Sequence, residues 1–299
     1  MAFAVFLHIG GALAQESLTS SQTRQDARFG SADLMLPDFA PGSESDADLG
    51  VQMILQSEAE YEPFTINSWA GYYFTDNAEL AAKGGSGDHV FNSTISLTYL
   101  PVISGNLYGE AAFREQTFRL NRNSRLDFDA YDAGAGLIYV LRSLGDVSVF
   151  SRYNYSEFRG PHGGYDKIYS NHSIQTGFFK SWILSRKQFL YGSWMSDIAL
   201  DANPGYAERH DHSLTLGYRY TPIRKVKAEF FYRLAYLDYD ERGREDWNSA
   251  VGSSLSYNFT PNIYLSAFVT YTDNQSNLEV GGDYEAWQTG LRLGGYWKF

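Results

Sequence analysis

The residues able to do chemistry are few and scattered, and their spacing argues against most enzymology. His210-Asp211-His212 would put two imidazoles on one face of an extended segment, a spacing that could hold a metal, but no third ligand is evident. The favoured reading is a pair of interfacial histidines, with no metal or cofactor site assigned. Asn171-His172-Ser173 sets a base beside a hydroxyl. Neighbours on an extended chain point to opposite faces, whereas a general base must reach its nucleophile within hydrogen-bonding distance. No catalytic residue is assigned. The absence of Cys excludes a disulfide framework and a thiolate zinc site, and a net charge of −11 argues against nucleic acid as a partner.

A second set of charges shares one property, the polar face of alternating segments: Glu110, Arg114, Arg152, Arg219, Lys227, Glu229, Arg233 and Arg292. Basic residues outnumber acidic ones in this set although the whole chain is acidic. One reading is a pore lining that favours anionic or polar solutes, because charge at close quarters sets selectivity. The other is internal pairing, Glu229 with Arg219 or Arg233 and Glu110 with Arg114, since unpaired charge in a confined interior is costly. Both readings stay open at the level of sequence.

The elements that must position these groups are strands. From about residue 63 the apolar period is two, with turn signals every ten to twenty residues or so. About twelve strands are expected, near 64–76, 88–100, 106–120, 126–142, 147–159, 168–184, 188–201, 210–221, 226–239, 247–260, 263–275 and 284–299. In one of them His212, Leu214, Leu216, Tyr218 and Tyr220 oppose Ser213, Thr215, Gly217, Arg219 and Thr221. In another Val251, Leu255 and Tyr257 oppose Gly252, Ser254 and Ser256. One face apolar and the other small and polar is the lipid/lumen division of a transmembrane barrel. A mean hydropathy of −0.35 is compatible with this, because the two faces average out. No segment past the N-terminus approaches the roughly 18 apolar residues of a membrane helix.

Loop lengths separate a barrel from a soluble sandwich, which also alternates. Short turns (101–106, 143–146, 185–187, 222–225, 260–262) alternate with mostly longer polar connections, as in outer-membrane barrels. Asp211 and Asp246 read as solvated residues of the longer connections, although acidic groups there could also bind the divalent cations that bridge lipopolysaccharide. Tyr153, Tyr155, Phe158, Tyr218, Tyr220, Tyr236, Tyr239, Trp287 and Trp297 fall near strand ends and read as interfacial anchors. The fold expected is an all-β, antiparallel, up-and-down transmembrane β-barrel.

Leu291, Leu293, Trp297 and Phe299 share one face of the last strand, with Gly295 between them. This pattern resembles the C-terminal assembly signal of Gram-negative outer-membrane β-barrel (porin-like) proteins. Gly295 departs from it where a larger apolar residue is usual. The resemblance covers about 64–299 at the level of fold and implies the bacterial outer membrane as location, with membrane lipid, lipopolysaccharide and the barrel-assembly machinery as partners. Comparison with outer-membrane phospholipases and lipid A deacylases fails, because their His and Ser stand two residues apart and Ile174 occupies that place after His172.

The rest of the chain divides simply. Residues 1–14 read as a signal peptide, possibly truncated for want of a basic start, with Ala12-Leu13-Ala14 as the cleavage pattern. Residues 15–62 read as a polar periplasmic tail or plug segment, and 63–299 as the barrel. The function expected is a passive channel for small polar or anionic solutes. The alternatives are a partner-binding or structural barrel without an open pore, or the barrel component of an export system.

Overall fold

A computed structural model describes residues 61–83, 85–160, 166–240, 243–278 and 282–299. The segments assigned to a signal peptide and to most of the tail lie outside them. The described chain forms thirteen strands: β1 (Phe64–Thr75), β2 (Asp88–Tyr99), β3 (Val102–Ser104), β4 (Leu107–Leu120), β5 (Phe128–Leu141), β6 (Val147–Arg159), β7 (Lys167–Ser185), β8 (Gln188–Asn203), β9 (Arg209–Ile223), β10 (Val226–Tyr239), β11 (Arg244–Asn258), β12 (Ile263–Ser276) and β13 (Tyr284–Lys298). β3 is a three-residue strand inside the turn after β2 and pairs only with β4. The other twelve are the staves. Each pairs antiparallel with its sequence neighbours, β2 pairs with β4, and β13 returns to β1, so the sheet has no free edge. Closure removes the unpaired backbone that lipid cannot solvate.

The closing seam runs from Thr65 opposite Lys298 to Thr75 opposite Gln288. Phe64 and Phe299 finish it with reciprocal backbone hydrogen bonds of 3.0 and 3.1 Å, and their rings stack at 5.6 Å. The terminal aromatic residue is thus part of the closure as well as of the terminal pattern.

Alternation fixes which side chains face in. On β11, Trp247, Val251, Leu255 and Tyr257 are exposed, while Asp246, Asn248 and Ala250 are buried. The exposed apolar set recurs on every stave, and Phe91, Ile95 and Leu97 of β2 form one such row. Such an outer surface needs lipid around it. Two of the residues read as interfacial anchors are placed differently: Phe158 and Tyr239 face inward and are buried. Their parity decides this, because Phe158 pairs with Ala130 and Tyr169, and Tyr239 with Arg209.

The two rims differ. Short turns join β5 to β6, β7 to β8, β9 to β10 and β11 to β12 on the rim that also carries Phe64 and Phe299. The opposite rim holds the longer connections and two short 3-10 turns, η1 (Ser124–Leu126) and η2 (Gly205–Ala207). β11 begins at Arg244, earlier than alternation alone suggests, because Arg244 and Asp246 continue the inward face and pair with each other at 2.7 Å. Asp211 likewise lies within β9 and pairs with Arg209 at 2.7 Å. Both carboxylates are buried in the barrel, which corrects their reading as solvated loop residues.

Candidate functional site: the barrel interior

The interior is built from the inward parity of all twelve staves, and it contains each of the eight charges expected there. Glu110 and Arg114 lie on β4, Arg152 on β6, Arg219 on β9, Lys227, Glu229 and Arg233 on β10, and Arg292 on β13. Their pairings follow space rather than sequence. Arg219 holds Glu229 across the β9–β10 register through two hydrogen bonds of 3.1 and 2.9 Å. Glu110 stands four residues from Arg114 along the same strand, roughly 13 Å at strand rise. It accepts a 2.9 Å hydrogen bond from Arg152, two staves over. Arg114 pairs with Asp132 at 3.3 Å, and Asp132 also accepts a 2.6 Å hydrogen bond from Ser156.

Glycine makes the next-nearest pairing possible. Gly136 lies on β5 between Glu110 and Arg152 in register, and a Cβ there would overlap the Arg152 side chain and the Ser151 carbonyl. Gly217 does the same for Tyr191. The Tyr191 ring lies flat across β9 where a Cβ would stand and donates a 2.7 Å hydrogen bond to Glu229 on β10. Arg292 lies 4.0 Å over the Trp69 ring and 5.2 Å from that of Phe268, a cation–π contact. Long side chains therefore run along the wall, held by a neighbouring or next-nearest stave.

Charge is distributed unevenly along the axis. Within six residues of the short-turn ends of their staves, five inward residues are basic (Arg152, Arg219, Lys227, Arg292, Lys298) and two acidic (Glu110, Glu229). Among the described inward residues farther up, four are basic (Arg114, Arg209, Arg233, Arg244) and five acidic (Asp88, Asp132, Asp197, Asp211, Asp246). The short turns continue the trend, with Arg142, Arg186, Lys187, Arg224 and Lys225 against Asp146. One end of the interior is positive and the other near balance.

The long-loop end has two unlike walls. On β4 to β7 the inward rings of Phe118, Phe128, Phe158 and Tyr169 form a ladder with centroid spacings of 4.4, 5.8 and 5.2 Å. Leu126 of η1 and Ala207 of η2 fold onto it with Val90, Ala130 and Ala202, and all are buried. The β11–β13 wall is polar. Asn248 donates to Asn274 at 3.1 Å and to the Tyr284 hydroxyl at 3.3 Å, and Asn274 donates to Asp246 at 3.2 Å. The ladder is a feature of the interior that the reading of the sequence missed. Its signal is present as four large apolar or aromatic residues near the long-loop ends of β4 to β7, on their inward parity.

His172, His210 and His212 face outward. Nδ1 of His172 contacts the Tyr153 hydroxyl, and its ring packs 4.8 Å from Tyr155; Ser173 is inward and fully buried. His212 Nδ1 lies 2.9 Å from Ser196 Oγ, while His210 Nε2 stands 3.4 Å from Asp240. The two imidazoles thus engage separate partners.

With this geometry in view, comparison with known proteins is informative at the level of fold. The structure is similar to the COG4313 outer membrane channel from Pseudomonas putida F1, with a TM-score of 0.53 and 15% identity over 80% of this chain and 98% of that one. This is the fold of a bacterial outer-membrane β-barrel. Weaker likenesses include the NanC porin (TM-score 0.44, 13% identity, 75% and 98% covered) and the translocator domain of the autotransporter NalP from Neisseria meningitidis (0.43, 10%, 93% and 99%). No protein family and no curated protein matches the sequence. In the orientation general to such barrels, the short turns and both strand termini face the periplasm and the longer connections face outward.

Proposed function

We propose that this barrel is a passive channel for small polar solutes with a preference for anions. The observation that carries the reading is the periplasmic half of the interior, where basic residues exceed acidic ones while the long side chains lie against the wall. A water-filled passage with that lining lowers the energy of an anion and raises that of a cation at short range. The solute path runs beside Arg219, Lys227 and Arg233 and leaves along the polar β11–β13 wall. The similar Pseudomonas putida protein is itself an outer membrane channel, and the proposal extends that role to this chain. It assigns no catalysis, since His172 and Ser173 point to opposite faces. The assembly signal is assigned to Leu291, Leu293, Trp297 and Phe299, with the barrel-assembly machinery as its reader.

A second reading has its own observation. The buried ladder, capped by Leu126 and Ala207, closes part of the outward mouth, as expected of a structural or partner-binding barrel without an open pore. Reversal potentials in planar bilayers under a salt gradient separate the two. An anion-signed potential that inverts on replacing Arg219 and Arg233 by Glu supports the channel. Absence of current from refolded protein supports the closed barrel.

A further inference from the structure

The short-turn end of β7 breaks the alternation that the rest of the barrel keeps. Trp182, Ile183 and Leu184 are consecutive large apolar residues, followed by Ser185, Arg186 and Lys187. Neighbours on a strand point to opposite faces, so lipid can cover only one parity of such a run. All three are nonetheless exposed, and Ile183, on the inward parity of buried Phe179, is 55% exposed. The pairing explains why. β7 is paired with β6 as far as Phe179 opposite Ser148, but continues with β8 to Ser185 opposite Gln188. Among the described residues, 180–185 therefore have a strand on one side only. The comparable overhang of β4 past β2 is covered, since β3 lies against it with Val102 opposite Tyr108. The turn 142–146 stands at the head of the β7 overhang, where Lys180 Nζ donates a 3.4 Å hydrogen bond to the Leu144 carbonyl. That turn and the hairpin tip carry Arg142, Lys180, Arg186 and Lys187 against Asp146. Lys187 Nζ donates to the Pro222 carbonyl at 3.0 Å, a contact that leaves its charge in place.

We infer that the open edge of β7 at 180–185 is a periplasmic docking site for an extended, acidic and partly apolar segment of another protein, which adds to the sheet as a further strand. Backbone groups of an open edge supply the hydrogen bonds of such an addition, and the alternate side chains supply its selectivity. Exposed edges are commonly blunted by charge or proline, yet 181–185 carry neither. Ile183 on one face, with Trp182 and Leu184 on the other, offers apolar cover to both parities of an added strand. The flanking cations choose its charge. They lie within the screening length of about 10 Å at 0.1 M salt, so a basic segment is repelled and an acidic one attracted. Phospholipid is a poorer occupant, because it can cover Trp182 and Leu184 but leaves Ile183 and the backbone edge without partners. The inference rests on the periplasmic orientation of the short turns and is independent of conduction.

The test uses the full chain in lipid nanodiscs. The probe is a blocked peptide of about seven residues alternating glutamate with valine, compared with its lysine counterpart and with empty discs of the same lipid. The acidic peptide is expected to bind the barrel roughly tenfold more tightly than the basic one. Bound peptide is expected to slow hydrogen exchange of the amides in 180–185 by about tenfold, with the centre of β7 unchanged. Arg186→Glu with Lys187→Glu alters two exposed tip residues and is expected to reverse the preference. Ile183→Ser should weaken binding several-fold with the charges intact. Equal binding to empty discs overturns the proposal and makes the lipid surface the occupant. Binding without slower exchange at 180–185, or a preference unmoved by the charge reversal, overturns it as well. So does protection of those amides that grows with protein density in the absence of peptide, which would make a second copy the occupant.

Discussion

At the scale of single residues, the interior is organised by where glycine permits a long side chain to lie flat. Arg152 reaches Glu110 over Gly136, and both partners are nearly shielded from solvent, with side-chain exposures of 12% and 10%. Removing one member of a shielded ion pair strands the other, whereas replacing both with apolar groups of similar size is close to neutral. Arg152→Ala is therefore expected to lower stability by about 3 kcal/mol, and Arg152→Met with Glu110→Leu to recover most of it. Urea unfolding in lipid vesicles measures both, and equal losses for the single and double variants would refute the pairing. This is also the scale at which the sequence was least legible. Parity assigned Glu110, Arg152 and Arg219 to the inward face, but choosing Arg152 over Arg114 as the partner of Glu110 requires register and the gap at Gly136. Neither can be read from local spacing.

At the scale of elements, period-two alternation was sufficient to place the staves. β6 and β10 run over the residues that alternation alone suggests, and most other ends differ by one to three residues. The physical reason is strong: shifting a stave by one residue would turn its apolar row into the lumen. Val251 at the centre of β11 tests this face directly. It is 50% exposed on the outer surface, so Val251→Arg is expected to cost about 2–4 kcal/mol near the bilayer midplane. The same change at the neighbouring inward Gly252 would act on conductance through the added charge, and through crowding against Phe231. What alternation hid was the outer-mouth ladder, because Phe118, Phe128, Phe158 and Tyr169 break the polar-inward rule together. Leu126 caps that ladder from outside the staves. Leu126→Ala should lower stability by roughly 2–5 kcal/mol, seen as an earlier unfolding midpoint. A change within error would show that η1 merely covers the ladder without bearing on it.

At the scale of the whole molecule, two asymmetries coincide along the barrel axis. The periplasmic end carries the excess of positive charge, the closing seam and the entry of an acidic chain; the outer end carries apolar packing and a net acidic set of described loops. Phe299 belongs to the first group twice, as the terminal aromatic residue and as the partner of Phe64. Phe299→Ala is expected to slow assembly several-fold, read in cells as a larger fraction of unfolded, heat-unmodified protein on gels. Unaltered assembly would remove the terminal residue from the signal. The polar tail was legible as composition and lies mostly outside the described residues, whereas the excess of positive charge at one end of the interior becomes visible only when the inward charges are ordered by depth.

On the proposed function, the interior conducts and favours anions. The most direct measurement is the reversal potential of the refolded full chain in a planar bilayer under a tenfold or so KCl gradient, where a fully selective pore approaches the limit of about 59 mV for one charge. The expected result is a potential of anionic sign that inverts when Arg219 and Arg233 are both replaced by Glu. A cationic sign in the unmodified protein, or no current at all, would contradict it.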